Sequence, residues 1–351
     1  MSKITRRTVV NGAGAAVMAS AAGAKAGGAV VRGMIDVHAH FLPPIYKEVL
    51  ARAGLTALDG GMPIPEWSEE AALGVMDSAG ISGALLSVSS PFLTFLSSSE
   101  EKKVCRQVNI AGADIRTRHP DRFGVLSILP LQDIQMAREE LVFCLDELGV
   151  DGVALPTNVD GLYLGNKKFE PLFSVLNERG VTCFVHPTSP CCFEAFNLGL
   201  PAPMLEFPFE TTRTMVDLVL SRRLSQYPNI EFIVSHAGGV LPFLSQRIAG
   251  IGQLPALGQK QMSAFETMSA MSKFNYDLAL SATGVQFSAL KSVAPVTNIL
   301  FGSDYPFTPE PIVKMSAAAI GELPMSADEM SMVRYSNAAR LFPRFAKRCC
   351  H

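Results

Sequence analysis

The sequence predicts an α/β fold in which eight β-α units close a (β/α)8 TIM barrel within a single domain. Eight short apolar, strand-like runs follow one another between residues 34 and 301, and each precedes a loop or a helical pattern. Hydrophobic residues make up 48% of the 351 residues, and no change of composition marks a second domain. The rival fold, a doubly wound open sheet, would place a Gly-x-Gly-x-x-Gly turn after the first strand, and that turn is absent from the sequence.

The N-terminal residues 1–26 have the pattern of a twin-arginine export signal. Thr5-Arg6-Arg7-Thr8 precedes an apolar stretch rich in Ala and Gly, and Ala24-Lys25-Ala26 offers a small-x-small cleavage site. We therefore expect an exported, periplasmic protein whose mature chain begins near Gly27. The alternative is an uncleaved Ala/Gly tail, which would leave the protein in the cytoplasm. The stretch is too short and too poor in Leu and Ile for a membrane span.

Charge and cysteine content narrow the classes of partner. The chain has 30 Lys and Arg against 32 Asp and Glu, a formal net charge of -2, and no long basic run. Nucleic acids and anionic membrane surfaces are therefore not expected as partners. The expected partner is a small molecule. The seven cysteines show neither zinc-knuckle spacing nor the pattern of a disulfide framework.

The barrel elements can be assigned in chain order across residues 34–342, with residues 343–351 as a tail. The first strand runs from Met34 to His40, and a polar, proline-containing loop leads from it to Gly61. Ser68 is the predicted N-cap of a helix that ends near Ala79. Further strands are predicted at 83–88, 123–129, 152–155, 181–185, 230–235, 274–279 and 298–301. Further helices are predicted at about 101–118, 133–148, 168–179, 211–225, 285–292 and 326–341.

Five reactive side chains fall at the ends of predicted strands. His38 and His40 point to the same side because side chains alternate along a strand; His186, His236 and Asp304 end the fifth, sixth and eighth strands. His38, His40, His186 and Asp304 together suit one divalent metal ion, with zinc, manganese or iron preferred over calcium or magnesium. His236 and Asp304 are the predicted proton-transfer groups. Taken alone, Asp304 would instead be a helix-cap or turn carboxylate.

Four motifs at four strand ends resemble the amidohydrolase superfamily. They are His38-Ala39-His40, Val185-His186-Pro187, Ser235-His236-Ala237-Gly238-Gly239 and Gly302-Ser303-Asp304-Tyr305-Pro306. Within that superfamily they resemble the branch of the aminocarboxymuconate semialdehyde, γ-resorcylate and 6-methylsalicylate decarboxylases. The resemblance implies a metal-dependent, non-oxidative decarboxylase of a small aromatic or unsaturated carboxylic acid such as a hydroxybenzoate. The fourth strand has no lysine that, once carboxylated, could bridge two metals, which implies a single ion.

Two further residues follow from the resemblance. The segment from Gly239 to Arg247 is similar to the one that carries a substrate-carboxylate arginine in the semialdehyde decarboxylase, so Arg247 is a candidate substrate ligand. The alternative is a surface or interface arginine. Asp277, near the end of the seventh strand, is expected to support a histidine rather than to take part directly in the chemistry.

Apolar loops at the C-terminal face of the barrel predict a lid. The loop after the fifth strand, residues 188–209, carries few charges, and its Phe196 and Phe207 are expected to wall an apolar pocket together with Trp67, Phe92 and Phe95. The alternative is the interface of a homodimer, and both roles can hold at once.

Two other functions stay open at the level of the sequence. The same metal site could serve a hydrolase that acts on a lactone or an amide. The chain could also be a metal-binding barrel without catalysis, although it retains every candidate proton-transfer group.

Overall fold

A parallel sheet of eight strands forms the centre of the fold. A computed structural model describes residues 33–349 of the chain. The strands pair in chain order, and bridges from Asp36 to Phe301 and from Ala39 to Tyr305 join the first strand to the last. The predicted (β/α)8 barrel is therefore confirmed. In chain order, β1 to β8 are Met34–His40, Ile81–Ser87, Phe123–Ser127, Gly152–Pro156, Thr182–His186, Glu231–Val234, Asn275–Asp277 and Ile299–Leu300.

Helices connect the strands and surround the barrel. In chain order, α1 to α13 are Pro44–Arg52, Glu69–Ala79, Ser98–Arg118, Ile134–Phe143, Glu170–Arg179, Glu206–Leu220, Arg223–Gln226, Leu241–Ile251, Ala264–Met271, Gly284–Lys291, Glu310–Ala319, Ala327–Ser331 and Asn337–Leu341. A π-helical turn at Cys144–Leu148 continues α4, and another at Met332–Ser336 joins α12 to α13. Within residues 33–349, no helix combines the length and the apolar character needed to cross a membrane.

Local sequence signals explain where α2 begins and ends. The Ser68 hydroxyl accepts a hydrogen bond from the Ala71 amide at 3.1 Å, which satisfies one free donor of the first turn. The helix stops at Gly80, whose φ of 71° lies in the left-handed region that glycine adopts without strain. The predicted N-cap is confirmed.

The predicted loop between β1 and Gly61 is wrong, because this stretch contains α1 and a short antiparallel hairpin. Helix α1 begins at Pro44, and proline is tolerated in a first turn because its missing amide hydrogen would be unpaired there. Tyr46, Val49 and Leu50 bury one face of α1. The hairpin pairs Ala57–Leu58 with Met62–Pro63. The sequence prediction also lacks helices α8, α9 and α11, of which α8 and α11 carry proline in their first turn.

The structure describes most of the predicted C-terminal tail but not the predicted N-terminal signal. The export signal at residues 1–26, with the mature start near Gly27, lies outside the described residues. The segment predicted as a tail begins within the barrel packing: Phe345 is buried and covers Gly83, where a Cβ would lie 2.5 Å from its ring. Arg344 pairs with Asp151 at 2.9 Å.

Candidate metal centre

The ends of β1, β5 and β8 bring four donor side chains together. The Nε2 atoms of His38 and His40 lie 3.1 Å apart, and Oδ1 of Asp304 lies 3.3 Å and 3.1 Å from them. His186 completes the group, in which the four ligand atoms all lie within 4.8 Å of one another. All four residues are buried, so this is an enclosed cluster of three imidazoles and one carboxylate.

Hydrogen bonds orient the three histidines of the cluster. His38 Nδ1 lies 3.0 Å from Oδ2 of Asp277, His40 Nδ1 lies 3.3 Å from the backbone oxygen of Ser87, and His186 Nδ1 lies 3.0 Å from the backbone oxygen of the residue that follows it. These oxygens can only accept, so each Nδ1 carries the hydrogen and each Nε2 faces the cluster. Carboxylates and carbonyls hold metal-ligating histidines in this way, and the donor set therefore fits a metal ion.

The electrostatics of the cluster favour a positive charge on His38 and disfavour one on His40 and His186. Burial opposes protonation of His38, yet the carboxylates of Asp277 and Asp304 raise its pKa to about 10. Burial lowers the pKa of His40 and holds that of His186 well below its ordinary value. Burial also opposes ionisation of Asp304, but the charge of His38 and hydrogen bonds from the neighbouring histidines hold its pKa well below the ordinary value. Two neutral imidazoles beside a carboxylate are in the protonation states that a metal requires.

Asp304 also contacts His236, which lies just after β6. The second carboxylate oxygen of Asp304, Oδ2, is 3.4 Å from Nε2 of His236. Both residues adopt positive φ, 60° and 55°, and backbone bonds hold them there: the Asp304 amide donates to the His38 carbonyl at 2.7 Å, and the His236 amide donates to Asp277 at 3.0 Å. Asp304 thus joins the metal-type cluster to a second titratable group.

A cavity of about 390 Å³ opens onto this cluster. His186, His236 and Asp304 form part of its wall, and most of the rest is apolar. Large apolar side chains from several loops line it, among them Met62, Met204, Phe207, Phe243, Leu280 and Phe307. This volume lies within the range of small-molecule pockets, and the apolar wall suits a ring or an unsaturated chain.

Of the predicted pocket aromatics, Phe207 lines the cavity, with its ring centroid 6.2 Å from that of His186. Phe92 is buried, with its ring 6.4 Å from the same histidine, while Phe95 packs against the core. Trp67 packs edge-on against Phe41 at 6.1 Å and does not line the cavity.

Phe196 and Arg247 also lie away from the cavity wall. Phe196 is 41% exposed on the loop after β5. Arg247 is exposed on α8, about two turns beyond its start, and is not among the residues that line the cavity. Arg247 therefore does not face the cluster. The alternative of a surface or interface arginine agrees with this position.

Several cavity residues are not found by sequence reasoning. Phe307 lies three residues after Asp304, and its ring is 5.3 Å from that of His40. Because Phe307 follows the Asp304 motif so closely in the chain, its place near the metal centre could have been predicted from the sequence. Met62 and Asp59 reach the cavity from the hairpin, within the stretch predicted as a loop, and no local pattern marks them.

Comparison with known proteins agrees with this site. The Amidohydrolase family (Amidohydro_2) matches residues 35–344. The 6-methylsalicylic acid decarboxylase acuB of Aspergillus aculeatus is 35% identical over 323 residues, which cover 89% of this chain and 97% of the relative.

Solved structures share the fold over most of the chain. One described as an amidohydrolase II is 30% identical with a TM-score of 0.83 and covers 88% of this chain and 99% of its own. A dihydroxybenzoic acid decarboxylase from Polaromonas sp. JS666, solved with bound manganese, is 21% identical with a TM-score of 0.74 and covers 89% and 97%. The chain therefore belongs to the amidohydrolase superfamily, in the branch that includes 6-methylsalicylic acid decarboxylase.

Proposed function

We propose that this protein is a metal-dependent, non-oxidative decarboxylase of a small aromatic or unsaturated carboxylic acid, with hydroxybenzoates as the leading class. One observation carries the proposal: a cluster of three histidines and one aspartate meets a neighbouring histidine at one wall of an otherwise apolar cavity. The relative from Aspergillus aculeatus, which is named for the decarboxylation of 6-methylsalicylic acid, supports this substrate class.

We propose that His38, His40, His186 and Asp304 hold one divalent ion. Three imidazoles and one carboxylate are a typical zinc donor set, and such ligands bind zinc more tightly than manganese. The manganese of the Polaromonas enzyme supports manganese as the alternative. When bound, the ion would act as a Lewis acid that orients and polarises oxygen atoms of the substrate. Elemental analysis of the purified protein distinguishes the two metals.

The cavity wall orients the substrate and limits water. Phe207 and Phe307 stand next to the histidine cluster, with ring centroids 6.2 Å and 5.3 Å from His186 and His40. A flat ring held between such side chains keeps its carboxylate towards the cluster. Because the substrate is already oriented when it is bound, less entropy is lost on the way to the transition state. The apolar surroundings also favour release of carbon dioxide, which is neutral, from a charged carboxylate.

Asp304 and His236 are the proposed proton donors. In the overall reaction the bond between the ring carbon and the carboxylate breaks, carbon dioxide leaves, and one proton adds to the same carbon. Oδ2 of Asp304 and Nε2 of His236 lie 3.4 Å apart, and both residues face the cavity, so a proton can pass to the substrate from His236 directly or through Oδ2 of Asp304. Positioned acid-base groups are commonly worth on the order of a hundred- to ten-thousand-fold in rate.

The deciding experiment incubates metal-analysed protein with a panel of hydroxybenzoates and, separately, with lactones and amides. We expect carbon dioxide release and a change in ring absorbance with at least one hydroxybenzoate. Turnover of a lactone or amide without any carbon dioxide would support the hydrolase instead. Metal content without turnover of any acid, ester or amide would support a binding protein.

Location and assembly are separate proposals. We propose export through the twin-arginine signal at residues 1–26, and the N-terminal sequence of the secreted protein should then begin near Gly27.

We also propose a homodimer in which Arg247 lies at or near the interface. Exposed apolar side chains on α8 support it, since Phe243 and Ile251 are 62% and 44% exposed. Light scattering during size-exclusion chromatography measures the assembly.

A further inference from the structure

A carboxylate that belongs neither to the cluster nor to the proposed proton transfer also lines the cavity. Asp59 sits at the tip of the hairpin between Leu58 and Met62, and both hairpin strands and the tip contribute to the cavity wall. Asp59 also borders a neighbouring surface pocket. The hairpin packs tightly: a Cβ on Gly60 would lie 2.2 Å from the Cβ of Ala202. The position of Asp59 is therefore set by contact between the hairpin and the loop that follows β5.

One oxygen of Asp59 is engaged and the other is free. Oδ2 accepts hydrogen bonds from the Ser189 amide at 2.7 Å and from the Ser90 hydroxyl. Among residues 33–349, no hydrogen-bond or ion-pair partner of Oδ1 is present, and Oδ1 is not one of the fully buried unpaired atoms. An anchored carboxylate with one accessible oxygen can accept a hydrogen bond from a bound molecule.

The charge of Asp59 is not balanced by a cation in the cavity. Of the described residues that line the cavity, none is a lysine or an arginine. The remaining polar wall consists of serines, glutamine and the residues of the cluster and its neighbour. A second anionic group on a ligand would therefore meet a carboxylate in an apolar wall with no positive charge to offset it, and such like-charge contacts disfavour binding strongly.

We propose that Asp59 is a specificity-determining residue. It selects a substrate that carries a neutral hydrogen-bond donor, such as a hydroxyl, away from the carboxylate that reacts, and it disfavours a second carboxylate. The preferred class is then the hydroxylated aromatic monocarboxylic acids, and dicarboxylic acids are poor ligands. This inference rests on the proposed function for the orientation of the reacting carboxylate towards the cluster.

Binding measurements on the full, metal-loaded protein test the proposal without requiring turnover. The probes are dihydroxybenzoates and the matched hydroxybenzenedicarboxylates in which one hydroxyl is replaced by a carboxylate at the same ring position. Calorimetry gives the ratio of the two dissociation constants for wild type and for Asp59→Asn, which removes the charge and keeps the shape. We expect wild type to prefer the dihydroxy probe about tenfold or more, and Asp59→Asn to lower that preference by a similar factor.

Asp160→Asn is the matched control. Asp160 is exposed and borders the same surface pocket as Asp59 but not the substrate cavity, so this variant should keep the wild-type ratio if the cavity is where Asp59 acts. The proposal is overturned if wild type binds both probes equally, if neither probe binds, or if Asp59→Asn leaves the ratio unchanged. Carbon dioxide release is followed in parallel. Selective binding without carbon dioxide contradicts the proposed decarboxylation alone, whereas carbon dioxide release with an unchanged ratio contradicts the role of Asp59 alone.

Discussion

Asp304 connects two parts of the site through its two carboxylate oxygens. Oδ1 faces His38 and His40, and Oδ2 faces His236. A side chain in this position can contribute a ligand atom on one side and relay a proton from His236 on the other. Its left-handed backbone conformation, with φ of 60°, directs the carboxylate into the barrel mouth, and asparagine tolerates the same conformation.

Asp304→Asn tests both contributions of the carboxylate without changing the fold. The amide keeps the shape and the backbone conformation but can neither carry the acidic proton nor bind a metal as an anion. We expect kcat to fall on the order of a hundred- to ten-thousand-fold while the circular dichroism spectrum is retained. Metal content is measured on the same sample, because a loss of metal and a loss of the proton carrier lower turnover by different routes. Full activity with full metal content would place the chemistry elsewhere.

Asp277 supports the site without facing the cavity. Its Oδ2 accepts from His38, and its Oδ1 accepts from the amides of His236 and Ala279. In Asp277→Asn, the side-chain amide group must face either the His38 Nδ1 hydrogen or the backbone donors. We expect metal affinity to fall about ten- to a hundredfold, as for other residues that orient a ligating histidine. A competition titration with a chelator measures this, and an unchanged affinity would contradict the role.

At the residue scale, the sequence predicts the histidines better than the cavity wall. His38 and His40 are found because alternation along one strand is a local rule, and the other groups are found because all strand ends of a barrel share one face. Phe307, Met62 and Asp59 come from loops whose paths depend on packing between distant segments. Arg247 and Trp67 illustrate the same limit, since the sequence indicates the element or loop but not the direction of the side chain.

At the element scale, the hairpin between α1 and α2 forms a cavity wall together with the loop that follows β5. The strands can be predicted to within a few residues because each is a short apolar run between turn signals. Helices α1, α8 and α11 carry proline in their first turn and are not predicted, because the same residue also marks loops; α5 has proline in its first turn too and is predicted. Of the unpredicted elements, the hairpin and α8 contribute residues to the cavity wall, whereas α1 and α11 are not among the lining elements.

Gly60→Ala tests the contact between the hairpin and Ala202. An added Cβ would lie 2.2 Å from the Ala202 Cβ, so the two segments must separate. We expect KM to rise several-fold while metal content stays unchanged. Gly61→Ala is the matched control, because Gly61 has a similar positive φ of 79° but no atom within 4 Å of its Cβ position. Equal KM values for the two variants would attribute the effect to backbone strain alone.

At the scale of the whole molecule, buried acids outside the site couple stability to pH. Glu101 on α3 is 3% exposed, and its Oε2 is buried without a hydrogen-bond partner among the described residues. Burial raises the pKa of Glu101 from 4.5 to about 7. The folded protein therefore keeps this proton to higher pH than the unfolded chain does, and folding loses stability as pH rises from about 4.5 to about 7.

Glu101→Gln should remove this pH dependence. The amide is neutral at every pH, so the free energy of unfolding of the variant relative to wild type should rise by roughly 1 to 3 kcal/mol between about pH 4.5 and about pH 8. Urea unfolding at a series of pH values measures it, and contributions from other groups cancel in the difference. Glu100→Gln is the control, because Glu100 is a partly exposed neighbour on the same helix that pairs with Arg52. A difference that is flat across this range for Glu101→Gln would mean that Glu101 is ionised in the folded protein.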